Sequence, residues 1–256
     1  MILYICQREL TSLSQKIVNK QFTKPPFNHP DEIYLPGYPD ISSVSFDTLF
    51  FLLYNHFNER RYIMKILLTA FEPFDGLPTN SSLEVFKRIN RENIIKKELP
   101  VSYERVKILL NKYIEEYKPD LVISLGQAGG EKKIRVEKVG LNYTRASIKD
   151  NDGDFRSKGE VVQNGPKALF SNIDLETIVD NAKNDNIDCY LSLSAGGYIC
   201  NTTYFYSLFK NNSNAVFIHY PFYDGQVGAN NNTVNLDKLV DETNYLIDKI
   251  ENSFIL

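Results

Sequence analysis

Asp120-Leu121-Val122-Ile123-Ser124-Leu125-Gly126, running on into Gln127-Ala128-Gly129-Gly130, is the stretch that decides the fold. It is apolar almost throughout, too short for a buried helix, and bounded by Pro119 and a glycine turn, so it reads as a strand covered on both faces. Upstream, residues 104–117 put Val106, Leu109, Leu110, Tyr113 and Ile114 on one side of a helix, which Pro119 stops. Further back, Lys65-Ile66-Leu67-Leu68-Thr69-Ala70 is a second buried-strand run, followed by helical spacing over 83–89 with Asn80, Ser81 or Ser82 as N-cap. Downstream, residues 133–142 suggest one or two short strands. Helices are expected over 175–182, 202–209 and 236–250, and strands over 190–193 and 216–219. Strands alternating with helices of this length predict a three-layer α/β/α sandwich around a mostly parallel twisted sheet. In such sheets the ligand crevice lies at the carboxyl ends of the strands. Four features are expected at such ends: Phe71 to Phe74, Gly126 to Gly130, Ser194 to Cys200, and His219.

Residues 1–63 read differently. Lys24-Pro25-Pro26 through Pro36-Gly37-Tyr38-Pro39 is proline-rich and without a sustained period, and one short helix is expected over 46–58. The segment reads as an irregular extension or as translated sequence upstream of a start at Met64, which would make 64–256 the catalytic domain. Across 256 residues, 43% are hydrophobic and 24% charged, as in ordinary globular proteins, and the net charge of −3 gives no reason to expect nucleic acid as a partner. The first residues are not a signal peptide, and the run Leu49 to Tyr54 is too short to span a bilayer, so the expected compartment is the cytoplasm, away from membranes. Three cysteines, Cys6, Cys189 and Cys200, make no disulfide framework, and no Cys or His pair has metal-ligand spacing.

Cys200 follows a strand and a small-residue turn, Ser194-Ala195-Gly196-Gly197-Tyr198-Ile199, and opens a helix. A thiol there feels the positive end of the helix dipole, beside backbone amides that can meet an oxyanion. The competing reading is a buried structural cysteine, the commoner fate of a lone thiol. His219 is the only histidine after Met64, hence the only imidazole in that region able to activate Cys200, although a satisfied strand-end histidine with a purely structural role is the somewhat commoner case. Acidic residues are too plentiful for periodicity to choose among them. Glu137 stands between Val136 and Val139 in a strand-like run, where a surface carboxylate is the plainer reading. The glycine-rich loop after Gly126 is neither a Walker sequence nor a complete dinucleotide fingerprint.

Taken together, four blocks resemble the pyroglutamyl peptidase I (pyrrolidone-carboxylate peptidase) family. They are Leu67-Leu68-Thr69-Ala70-Phe71-Glu72-Pro73-Phe74 with Asn80; Gly126 to Gly130 with Glu137-Lys138-Val139 and Asn142; Ser194 to Asn201; and Phe217-Ile218-His219-Tyr220-Pro221 with Gln226. Asp150-Asn151 with Gly153 is a fifth, weaker match. The resemblance implies a cysteine peptidase that removes N-terminal pyroglutamate from peptides with no metal or organic cofactor. It implies Cys200 as nucleophile, His219 as general base and acid, and Glu137 as the carboxylate that orients the ring. It further implies a substrate pocket lined by Phe71, Phe74, Gln127, Ile148 and Ile199, with Asn80 supporting the loop that carries both phenylalanines, and a homo-oligomer, dimer or tetramer.

The chain departs from the family pattern at Ser147 and Lys149, where Arg and Pro are usual, and at Val101, where Thr is common. Ala70, Asp75 and Gly197 stand for a common Gly, Gly and Thr, and Asp75 is costlier than glycine if its turn needs positive φ. A pyroglutamyl-peptide-binding protein with weak or no catalysis is the alternative function. A cysteine amidase of other specificity and, more remotely, a nucleotide-binding protein follow it.

Overall fold

The computed structural model describes residues 64–229 and 232–254. The readings made for residues 1–63 lie outside the described residues. In chain order the elements are β1 (Ile66–Phe71), α1 (Ser81–Arg88), β2 (Ile94–Leu99), α2 (Tyr103–Tyr117), β3 (Leu121–Gln127), β4 (Ile134–Glu137), β5 (Val139–Leu141), β6 (Ala168–Phe170), α3 (Leu175–Asn184), β7 (Cys189–Ser192), α4 (Ile199–Lys210), β8 (Ala215–Tyr220), β9 (Phe222–Tyr223), β10 (Thr233–Val234) and α5 (Leu236–Phe254). Six strands form the central sheet in the order β2-β1-β3-β8-β4-β7.

Strand alternation divides the interior into two cores. Ile66, Leu68 and Ala70 of β1 pack with α1, α3 and α5, through residues such as Phe86, Val179 and Leu246. Leu67 and Phe71 pack on the other face with α2 and α4, through Val106, Leu110, Tyr204 and Leu208. Helices thus cover both faces, as the near-continuous apolar runs in β1, β3 and β8 require: all three strands are buried from end to end.

Four of the five ladders in this sheet are parallel. The exception corrects one expectation. β4 runs antiparallel to β8, and β7 follows β4, so the turn that leads to Cys200 leaves a strand pointing the opposite way from β1, β3 and β8. Ser192 pairs with Glu137, which pairs with Phe217, so β7 ends level with the middle of β8. The connection over 193–198 must carry the chain from there to the start of α4, and Arg145 N–H ties it by donating to Gly197 O at 2.8 Å. A Cβ at Gly197 would lie 2.7 Å from that Arg145 carbonyl oxygen, so the tie requires glycine.

Candidate active site

α4 starts where it does because Asn201 locks it to β5. Asn201 Oδ1 accepts from Leu141 N–H at 2.9 Å, and its Nδ2 donates to Leu141 O and Tyr143 O. Tyr204, one turn on, donates its hydroxyl to Glu137 O at 2.9 Å. These bonds fix the helix against the strands that carry the acid. The N-cap residue, Tyr198, supplies no side-chain acceptor. The other four helices each have one: Asn80, Ser102, Asp174 and Asn235. Amides of the first turn of α4 are therefore left without a side-chain cap beside Cys200.

The acid and the imidazole come from neighbouring strands. On β4, Ile134 and Val136 belong to one core, so Arg135 and Glu137 face the other; on β8, Val216 and Ile218 divide from Ala215, Phe217 and His219 in the same way. Glu137, His219 and the start of α4 therefore share one face of the sheet. Glu137 is fully buried and His219 is 3% exposed. Nδ1 of His219 lies 2.7 Å from Glu137 Oε1. Gly126 on β3 lets the ring lie close, since a Cβ there would fall 2.9 Å from His219 Cδ2 and 2.8 Å from the Phe217 ring.

The electrostatics follow from burial and pairing. Burial works against the charged form of Glu137, but the bonds and charges of His219, the Ser192 hydroxyl and the Arg135 guanidinium outweigh it and hold the carboxyl below its usual value. Burial pushes His219 below the ordinary imidazole value; Arg135 adds to the effect, and the pull of Glu137 does not overcome it. Burial and the nearby Glu137 push the Cys200 thiol up to about 12, against a lowering by Arg135. Cys200 thus feels the charges of Glu137 and Arg135 and makes no side-chain hydrogen bond to Glu137 or His219. Burial favours the neutral form of both the thiol and the imidazole, and His219 Nε2 has no hydrogen-bond partner among the described residues.

Cys200 and Ile199 form one wall of a pocket with Tyr198; Phe71, Phe74, Asn80, Val101 and Gln127 form the other. Its volume is about 10 Å³, roughly the room of one water, so a larger guest must widen it; two half-exposed aromatics of the lining, Phe74 and Tyr198, have centroids 6.2 Å apart. Wider depressions, about 430 Å³ beside Lys183 and about 470 Å³ beside Ile108, are open surface and hold none of these groups. Of the pocket residues named from the sequence, Phe71, Phe74, Asn80, Gln127 and Ile199 come together. Ile148 does not; it sits on a half-buried bend outside the lining.

The wall opposite Cys200 is fastened by hydrogen bonds. Asn80 caps α1 through Ser82 N–H at 3.0 Å and donates from Nδ2 to Glu72 O, on the segment between the two phenylalanines. Glu72 Oε1 accepts from Val101 N–H and Asn151 Nδ2. Asp75 takes φ 54° in the turn that follows, the strained alternative to glycine that the sequence raised. Gln127 Oε1 accepts from Ser81 N–H at 2.8 Å and from Gln226 Nε2 at 2.7 Å. With its oxygen so engaged, the planar amide has only its NH₂ to offer a guest. Gln226 and Arg135 are partners that sequence reasoning missed. The readable signal for Arg135 was its place two residues before Glu137 in a strand, which puts both on one face.

An α/β/α sandwich that sets a thiol at an uncapped helix start, on the same sheet face as a buried imidazole–carboxylate pair, has the build of a cysteine-dependent hydrolase. The pyroglutamyl peptidase family model matches residues 64–250, and on that match the chain belongs to the pyroglutamyl peptidase family of cysteine peptidases. The pyrrolidone-carboxylate peptidase of Thermosipho melanesiensis is 38% identical over 199 residues, covering 73% of this chain and 97% of that protein. Pyrrolidone-carboxylate peptidase 1 of Caldanaerobacter subterraneus is 41% identical over 180 residues, covering 66% and 88%. Among solved structures, the pyrrolidone carboxyl peptidase of Thermococcus litoralis superposes with a TM-score of 0.68 at 30% identity, covering 74% of this chain and 94% of that one.

Proposed function

We propose that this protein hydrolyses the peptide bond that follows an N-terminal pyroglutamyl residue, with Cys200 as nucleophile, His219 as general base and acid, and Glu137 as the group that orients the ring. The observation that carries the reading is the shared sheet face: β4 and β8 turn Glu137 and His219 toward the helix start that bears Cys200. A pyroglutamyl end has no free α-amine, so charge cannot hold it. A flat neutral lactam suits an aromatic slot with one directed amide donor, and the Gln127 NH₂ answers the lactam carbonyl.

Nε2 of His219 removes the thiol proton as sulfur attacks the scissile carbonyl. The bonds that bring Sγ to Nε2 commonly tighten only in the complex with substrate. The carbonyl oxygen takes up the negative charge beside the uncapped amides of α4. The tetrahedral intermediate collapses, the C–N bond breaks, and the imidazolium gives its proton to the leaving amine. Water, deprotonated by the same nitrogen, then attacks the thioester and releases pyroglutamate and the thiol.

Hydrolysis of a fluorogenic pyroglutamyl amide tests this. Wild type is expected to turn it over and Cys200→Ala to lose turnover; equal rates in the two would remove Cys200 from the chemistry, and binding without turnover in wild type would favour the binding-protein alternative. The same reading places the catalytic unit within residues 64–256, so a chain beginning at Met64 should keep the activity. Assembly as a dimer or tetramer rests on the family resemblance, and sedimentation velocity tests it. Placement in the cytoplasm rests on the sparse cysteines, of which Cys189 and Cys200 are free thiols.

A further inference from the structure

Glu137 Oε1 serves two donors. It lies 2.7 Å from His219 Nδ1 and accepts Nε–H of Arg135, also at 2.7 Å. Arg135 pairs in register with His219 across the β4–β8 ladder. Its Nη1 donates to Glu131 Oε1 at 3.1 Å, and Glu131 Oε2 accepts the Tyr190 hydroxyl at 2.8 Å. Nη2 stands 3.3 Å from His219 Nδ1. Two donors cannot share a hydrogen bond, and a 2.7 Å approach to an ionised carboxylate places the ring proton on Nδ1. The guanidinium therefore sets its charge against the ring without bonding to it.

We propose that Arg135 is a positioning residue for the hydrolysis: it clamps the Glu137 oxygen that holds His219 and keeps the imidazole neutral, with Nε2 ready to accept the thiol proton. The proposal rests on His219 being the base. A buried carboxylate beside an imidazole tends to draw a proton onto the ring, giving an ion pair in which Nε2 is already protonated. Arg135 supplies the positive charge instead, so the buried carboxylate is balanced and the ring stays free to act. The charged and titratable groups facing the ring are Glu137 and Arg135 of β4 and Glu131 of the preceding loop; Glu137 and Arg135 also act on Cys200 of α4, and Tyr190 of β7 reaches the cluster through Glu131. Glu131 and Glu137 favour the protonated ring, while Arg135 and burial oppose it.

The test is the pH profile of kcat/KM for a pyroglutamyl anilide in two variants with opposite expected signs. Arg135→Met removes the opposing cation, so the acid limb moves to higher pH and kcat/KM at neutral pH falls about tenfold. Glu131→Gln removes a carboxylate that favours protonation, so the acid limb moves to lower pH. Arg135→Lys, which keeps the charge, leaves the limb near its wild-type position. Unmoved limbs in both neutralising variants, or movement in the same direction, would overturn the proposal. If Arg135→Met fails to fold, the sign found for Glu131→Gln decides. NMR titration of the His219 ring, assigned by its loss in His219→Asn, reads the same shifts without turnover. It therefore separates failure of this inference from failure of the assigned activity.

Discussion

The N-termini of α1 and α4 face the same pocket and are finished in opposite ways. At α1, Asn80 accepts from Ser82 N–H, and Gln127 takes Ser81 N–H. At α4, Tyr198 offers its amides no side-chain acceptor, while Asn201 and Tyr204 hold the helix from further along. The first helix start is spent on geometry: its donors hold Gln127 and the phenylalanine loop in place. The second, on the proposed mechanism, keeps its donors for charge that exists only during reaction. Satisfied groups fix a binding wall, and open groups beside a nucleophile serve the transition state, because a donor already bonded cannot gain a new bond when charge develops.

Breaking the reacting side should cost most. Glu137→Gln keeps the shape but removes the charge that the proposed mechanism uses to orient and stabilise the imidazolium, and kcat should fall on the order of 10²- to 10⁴-fold. The pH dependence carries a sign. His219 is held below the ordinary value of 6.5, so the wild-type acid limb of kcat/KM should lie below that pH. Glu137 pulls the ring upward, so losing its charge should move the limb lower still while the plateau drops. Steady-state kinetics across pH check both, and a variant with wild-type kcat would remove Glu137 from the mechanism.

Making α4 resemble α1 is the next largest change. Tyr198→Asp gives the helix the acceptor it lacks and places a negative charge beside the thiol. Relative to Tyr198→Leu, which loses the same contacts with Phe74 and Tyr103, the Asp variant should gain about 1 kcal/mol of stability. Its kcat should fall about 10²-fold against the same control. Thermal melts and kinetics on the pair should thus move in opposite directions; kcat equal in the two variants would place the oxyanion site elsewhere.

Legibility in the sequence followed the same division. β1, β3 and β8 announce themselves because both faces are buried, so their residues are apolar without a break. β2 does not: it is an edge strand, and Lys96, Lys97 and Glu98 hide its period. The reversal of β4 and β7 was also hidden, because alternation in a four-residue strand is the same in either direction and only tertiary pairing sets it. Cys200 and His219 were readable through scarcity, one thiol at a helix start and one histidine in the domain. Glu137 was not, among so many carboxylates, and only the family resemblance singled it out. Gln226 was visible within a family block, but its contact with Gln127 spans 99 residues and leaves no local pattern.

On the binding side the effects should shrink and change kind. Gln226→Leu removes one of two donors to Gln127 Oε1, together with the bond to Tyr223 N–H at 3.2 Å. A freed Gln127 can rotate its amide and present oxygen where the lactam needs a donor. KM should rise about tenfold, the worth of roughly one buried hydrogen bond, while kcat changes much less. A change in kcat with constant KM would put Gln226 on the reacting side instead.

Asn80→Ala should be the mildest, and it asks whether α1 is only scaffold. Its side chain caps the helix at Ser82 and reaches Glu72 O at 3.2 Å, so truncation removes a cap worth about 1 kcal/mol and one tether of the phenylalanine loop. Glu72 keeps its bonds from Val101 and Asn151, which should hold the loop near its place. The melting temperature should therefore drop by several degrees, about what 1 kcal/mol is worth in a domain of this size. KM should rise only slightly and kcat should stay level. A loss of kcat comparable to that of Tyr198→Asp would mean that the α1 end shapes the reaction as well as the pocket, and the division between the two helix starts would have to be redrawn.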